Sequence, residues 1–81
     1  MSIVTFFCDE HDDTIHISLE PYETEFQVEP GNEMSFEGHY PNRPFKWIIK
    51  LGASARHFVL KAERNDGKIN VYDNDVLVEQ W

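Results

Sequence analysis

Residues Thr14 to Glu29 read TIHISLEPYETEFQVE, and apolar and polar residues alternate through both halves of the stretch. Ile15, Ile17 and Leu19 fall on one side, with His16, Ser18 and Glu20 on the other. After Pro21 the alternation resumes, with Tyr22, Thr24, Phe26 and Val28 set against Glu23, Glu25, Gln27 and Glu29. Successive side chains of a strand point to opposite faces, so a period of two predicts a strand with one face buried and the other in water. That pattern belongs to antiparallel sheets rather than to the doubly covered parallel kind.

The same period runs outward in both directions. Glu29-Pro30-Gly31-Asn32 predicts a type II turn, because proline presets φ at the second position and glycine accepts a positive φ at the third. The chain is then expected to return with Met34 and Phe36 inward and Ser35 and Glu37 outward, closing a hairpin over 22–37. Towards the N-terminus, Ile3, Val4, Phe6 and Phe7 are apolar on both faces, which predicts a short central strand. Two prolines make Tyr40–Pro44 a loop. Beyond it Phe45, Trp47, Ile49 and Leu51 share a face opposite Lys46 and Lys50, with Ile48 interrupting the polar side. Residues 52–65 fit two readings. Leu51, Ala55, Phe58, Val59 and Ala62 form a helical stripe that Ser54 would cap, whereas Phe58, Leu60 and Ala62 form the inner face of a strand. The strand is favoured. Asn65-Asp66-Gly67 before Ile69 and Val71 predicts a hairpin turn, and Asp73-Asn74-Asp75 a last tight turn into Val76–Val78. The expected fold is all-β, a compact antiparallel sandwich or barrel of seven or eight short strands, the alternative being α+β with one helix near 54–64.

The 81 residues allow one domain, 1–81, with one core. Apolar residues make up 41% of the chain and aromatic ones 14%, enough for a small core to hold without staples. Cys8 is the sole cysteine, so no internal disulfide can form, which favours a reducing compartment. No basic segment followed by a long apolar run opens the chain, and no apolar run approaches the ~20 residues that span a bilayer. A cytoplasmic location without membrane attachment is expected.

Charge is the most informative bulk property. The net value is −8, and residues 1–42 hold ten acids with no Lys or Arg, while residues 43–81 hold all seven bases and five acids. Such a balance excludes direct nucleic-acid binding, which needs a basic footprint. It suits a basic protein partner, unless pairing across strands sets acids of the first half against bases of the second.

Several residues are candidates for chemistry. Cys8-Asp9-Glu10-His11-Asp12-Asp13, with His16, uses the alphabet of metal ligands, but its spacing matches neither a zinc site nor a calcium loop, and a solvated connection between strands is the favoured reading. Cys8 could form a nucleophilic pair with His11, His39 or His57, yet no glycine-rich turn offers an oxyanion hole and a lone small-domain thiol usually serves as a core residue. No phosphate-binding loop or dinucleotide fingerprint is present. No catalytic residue, metal or cofactor is therefore assigned.

Binding chemistry is better represented. Gly38–Trp47 gathers Tyr40, Arg43, Phe45 and Trp47 around a proline-stiffened loop, residue types that protein interfaces enrich, although the favoured reading has Phe45 and Trp47 anchor the following strand while Tyr40 covers the core edge. Trp81 is either a lid on the core or part of an exposed patch. The expected function is non-enzymatic protein binding, in the style of an inhibitor, an immunity protein or a nucleic-acid mimic. Asp9, Glu10, Asp12, Asp13, Glu23, Glu25 and Glu29 would face a basic partner, with Tyr40, Arg43 and Trp47 as further contacts. Alternate carboxylates along residues 23–29 would repeat every ~6.6–7 Å, about twice the 3.4 Å phosphate rise of one nucleic-acid strand. The alternative is an assembly subunit that docks through an edge strand or the loop 38–47.

Overall fold

A computed structural model describes residues 1–81 as eight strands: β1 (Ser2–Phe7), β2 (Ile15–Glu20), β3 (Thr24–Val28), β4 (Glu33–His39), β5 (Trp47–Leu51), β6 (His57–Ala62), β7 (Lys68–Asp73) and β8 (Val76–Gln80). They form two four-stranded sheets, ordered β1-β4-β7-β8 and β3-β2-β6-β5. The fold is all-β, as the alternation predicts, and 57–62 is a strand with Leu60 and Ala62 buried, so no helix forms near 54–64. One pair departs from an antiparallel arrangement. β2 and β6 run parallel at the centre of their sheet, because the hairpins β2–β3 and β5–β6 meet there side by side.

Two turns expected to close hairpins instead carry the chain from one sheet to the other. At Glu29–Asn32 the turn itself forms, with Gly31 at φ 85° and the Asn32 amide donating to the Glu29 carbonyl at 3.0 Å. β3 nevertheless pairs with β2, and β4 with β1 and β7. A type II turn lacks the twist that matches two adjacent strands, so the strands it joins can splay into opposite layers. Asn65-Asp66-Gly67 likewise lies in a longer bend between β6 and β7, which belong to different sheets. Only Asn74 and Asp75, at φ 48° and 68°, have the two positive φ values of a type I′ turn, and they close the β7–β8 hairpin. β1 is an edge strand rather than a central one. Its apolar residues split between Val4 and Phe6 against the core and Ile3 and Phe7, which stay 51% and 63% exposed.

The core lies between the sheets. Ile15, Ile17, Leu19, Val28 and Leu60 meet Met34, Phe36, Ile69 and Val71 of the other layer. Phe36 is fully buried at the centre, with Phe6, Phe26 and Trp47 packed edge-on around it at 6.0, 5.4 and 6.5 Å between centroids. Gly38 makes room for the neighbouring Phe45 ring, which a β-carbon there would overlap. Trp81 is a lid on the core. It stacks on Tyr22 at 4.9 Å, and its backbone pairs with Ile69 beyond the end of β8.

Candidate functional site

Strand directions sort the loops into two ends. The connections 8–14, 29–32, 52–56 and 74–75 share one end, while 21–23, 40–46 and 63–67 share the other with both termini. Hydrogen bonds join the loops of the first end. The Cys8 amide donates to the Asn32 carbonyl at 2.9 Å and the Gly31 amide to the Cys8 carbonyl at 2.7 Å. Asn74 donates through its amide to Glu33 and through its side chain to Asn32. Arg56 Nη2 donates to the Asp13 carbonyl.

This end concentrates the negative charge. Asp9, Glu10, Asp12 and Asp13 occupy the first loop, Glu29 and Glu33 flank the turn, and Asp73 and Asp75 lie at the final hairpin. Arg56 is the one Lys or Arg among these loops, and it forms no ion pair with any carboxylate. It reaches inward to the Asp13 carbonyl at 2.6 Å and to Cys8 Sγ at 3.7 Å, and its Nε is buried without a partner. Pairing across strands does little to offset the asymmetry of the sequence. Of the bridges made by Lys and Arg, only Lys50–Glu20 uses an acid from residues 1–42; Arg43–Asp66 and Lys46–Glu63 lie within the second half.

The candidate residues are thus partly assembled and partly dispersed. Asp9, Glu10, Asp12, Asp13 and Glu29 come together, with Glu29 also accepting from the Thr14 hydroxyl at 3.0 Å. Glu23 sits in the turn at the opposite end, at φ 52° and outside β3, and Glu25, on the edge strand β3, accepts from the Ser18 hydroxyl. The row of carboxylates along β3 is therefore shorter than the spacing of 23–29 suggests. Tyr40 is buried at the opposite end, its hydroxyl accepting from the Arg64 amide at 2.6 Å and donating to the Arg64 carbonyl at 3.1 Å. Trp47 is half-buried, and its indole N–H donates to the Ser2 carbonyl. Arg43 stays at the surface over the Tyr40 ring, paired with Asp66 at 2.8 Å. The loop 40–47 thus turns its aromatic rings inward.

Other polar groups have structural partners. Cys8 is fully buried, and its thiol donates to the Asp13 carbonyl at 3.2 Å. No three His, Cys, Asp or Glu side chains converge as ligands of one metal ion. His57 Nε2 lies 2.8 Å from the Ser18 hydroxyl, which also lies 3.2 Å from Glu25 Oε1, so the two side chains share one serine oxygen on the outer face of their sheet.

Residues the sequence did not single out complete the picture on the outer face of the sheet β1-β4-β7-β8. Glu37 is 17% exposed, and its Oε1 accepts from His39 Nε2 at 2.8 Å and from Asn70 Nδ2 at 3.1 Å. These donors, His39 foremost, hold its carboxyl below the usual carboxylate range against the opposing effect of burial. The outward position of Glu37, with His39 two residues on along the same face, was legible from the alternation of β4; the Asn70 donor was not, because it arrives from β7 through the register Glu37↔Asn70. Glu33, Asp73 and Asp75 join the acidic end in the same way, through pairing between distant segments. Comparison with protein-family models, curated proteins and solved structures finds no match for the chain.

Proposed function

We propose that this protein is a non-enzymatic binding module whose acidic end docks on a basic surface of another protein, as an inhibitor, an immunity protein or a nucleic-acid mimic does. The observation that supports this reading is the gathering of eight carboxylates at one end with a single arginine that pairs with none of them. Concentrated charge of one sign raises association rates with an oppositely charged surface and repels acidic competitors. Its action fades with salt, because exposed charges more than about 8 Å apart are screened at physiological ionic strength.

The test is affinity capture from the native cell at low salt. The intact chain is compared with a variant carrying Asp9→Asn, Glu10→Gln, Asp12→Asn and Asp13→Asn. A partner that elutes as salt rises and is lost from the variant agrees with the reading. One held equally by both chains, or indifferent to salt, overturns it.

A second reading, docking through an edge strand, is favoured by β8. This edge leaves Val76, Leu77 and Val78 at 63, 45 and 47% exposure beside unpaired backbone. Sedimentation over a range of concentrations separates the two, since an edge that pairs with its own copies gives a mass that grows with concentration.

A further inference from the structure

On the outer face of β1-β4-β7-β8 most polar atoms satisfy one another. The Thr5 and Ser35 hydroxyls are 2.8 Å apart, Glu37 Oε1 takes both His39 and Asn70, and Gln80 donates to Asn70 at 3.1 Å. Glu37 Oε2, the Asp75 carboxylate and the Tyr72 hydroxyl have no partner in the protein, and the Lys68 ammonium, beside His39 on the same face, is likewise unpaired. Glu37, Tyr72 and Asp75 line one open depression of about 250 Å³, completed by Ile3 and Ser35.

The chemistry of this depression is specific. Two carboxylates border it, and no Lys or Arg lines it. The other sheet differs, since its outer face pairs Lys50 with Glu20 and Ser18 with both Glu25 and His57. Its volume is below the ~300–1,000 Å³ of small-molecule sites and suits a single side chain. Ile3, 51% exposed, gives an apolar wall for an alkyl stem, and Tyr72 gives a ring against which a planar cation can stack. A guanidinium meets all these demands at once, because its forked donors reach two acceptors while its plane lies on an aromatic face.

We propose that this depression receives an arginine side chain of a basic protein partner, its guanidinium held between Glu37 and Asp75 and its stem along Ile3 and Tyr72. The inference rests on the docking of a basic partner proposed above and adds a particular contact to it, since Asp75 belongs both to the acidic end and to the depression.

The test titrates the isotope-labelled full chain with a tetra-arginine peptide and, separately, with tetra-lysine at low salt, following backbone amide shifts. The arginine peptide is expected to move Ser35, Glu37, Tyr72 and Asp75 saturably and to bind about tenfold more tightly than the lysine peptide, equivalent to about 1.4 kcal/mol. Glu37→Gln combined with Asp75→Asn should cancel that preference, whereas neutralising residues 9–13 should leave the shifts at Tyr72 and Asp75 in place. Asp75→Asn alone keeps the test readable should the Glu37 variant not fold, because the Asp75 carboxylate makes no bond within the protein. Equal affinity for the two peptides, or an arginine preference that survives in the variants, overturns the arginine site. Saturable shifts confined to 9–13 overturn it while leaving the acidic end standing. Absence of any saturable shift also overturns it, and the capture experiment then judges the acidic end on its own.

Discussion

Phe36 and Glu37 are neighbours in β4 with opposite duties. Phe36 is fully enclosed by rings from both layers, so truncation removes their shared contacts and leaves a cavity. Phe36→Ala is expected to cost about 3–5 kcal/mol, a large part of the stability of so small a domain, read as the shift of a urea unfolding midpoint. Glu37 faces the other way, and its effect depends on pH. Its carboxyl is held below the usual range by His39 and Asn70, so the folded state favours the ionised form. The stability this contributes is present above the unfolded-state pKa of about 4.3 and is lost as pH falls through the lower folded value. Glu37→Gln should therefore flatten the acid limb of the stability profile below about pH 5. An unchanged acid limb in the variant would show that the two donors do not favour the ionised form.

At the scale of elements, the turns decide which strands become neighbours. Asn74 and Asp75 both hold positive φ, and the Asn74 side chain accepts from the Glu33 amide at 3.1 Å, tying the last hairpin to the start of β4. Alanine tolerates the left-handed region poorly and offers no acceptor. Asn74→Ala is expected to cost about 1–2 kcal/mol. Asn74→Gly should cost less, because glycine relieves the backbone while still losing the side-chain bond. Equilibrium unfolding of the two variants checks the order. Pro30-Gly31 was legible as a turn, but its consequence was not. The local residues specify where the chain bends, while core packing between layers selects the strand that each segment finally pairs with.

For the whole molecule, the asymmetry of charge along the sequence becomes an asymmetry between its two ends. Carboxylates crowded at one end repel, and that repulsion acts within the folded state. Added salt is expected to raise the melting temperature by screening it. The variant neutralised at residues 9, 10, 12 and 13 should melt higher at low salt and respond less to added salt. A melting temperature of the intact chain that does not move with salt would mean that the end carries no net repulsion. The same concentration of charge makes the acidic end a coherent surface, whereas Glu23, Glu25, Tyr40 and Trp47 are spread among other environments.

The sequence by itself determined where most strands run and the inner faces of β2, β4 and β6, because a period of two and turn chemistry are local properties. On β5 the same period sets Ile49 and Leu51 beside Trp47, yet at the sheet edge they stay 50% and 74% exposed. Ile15, Ile17 and Leu19, then Met34 and Phe36, then Leu60 and Ala62 are buried as their alternation predicts. Only the tertiary structure decided which strands share a sheet, that β2 and β6 run parallel, that β1 is an edge, and that Asp9–Asp13 lie beside Glu29, Glu33 and Asp75. The reason is physical. Pairing partners are chosen by how two layers bury their apolar faces together, a property of segments tens of residues apart that no local pattern contains. The depression bounded by Glu37, Tyr72 and Asp75 arises in the same way, from β1, β4 and the β7–β8 hairpin brought side by side.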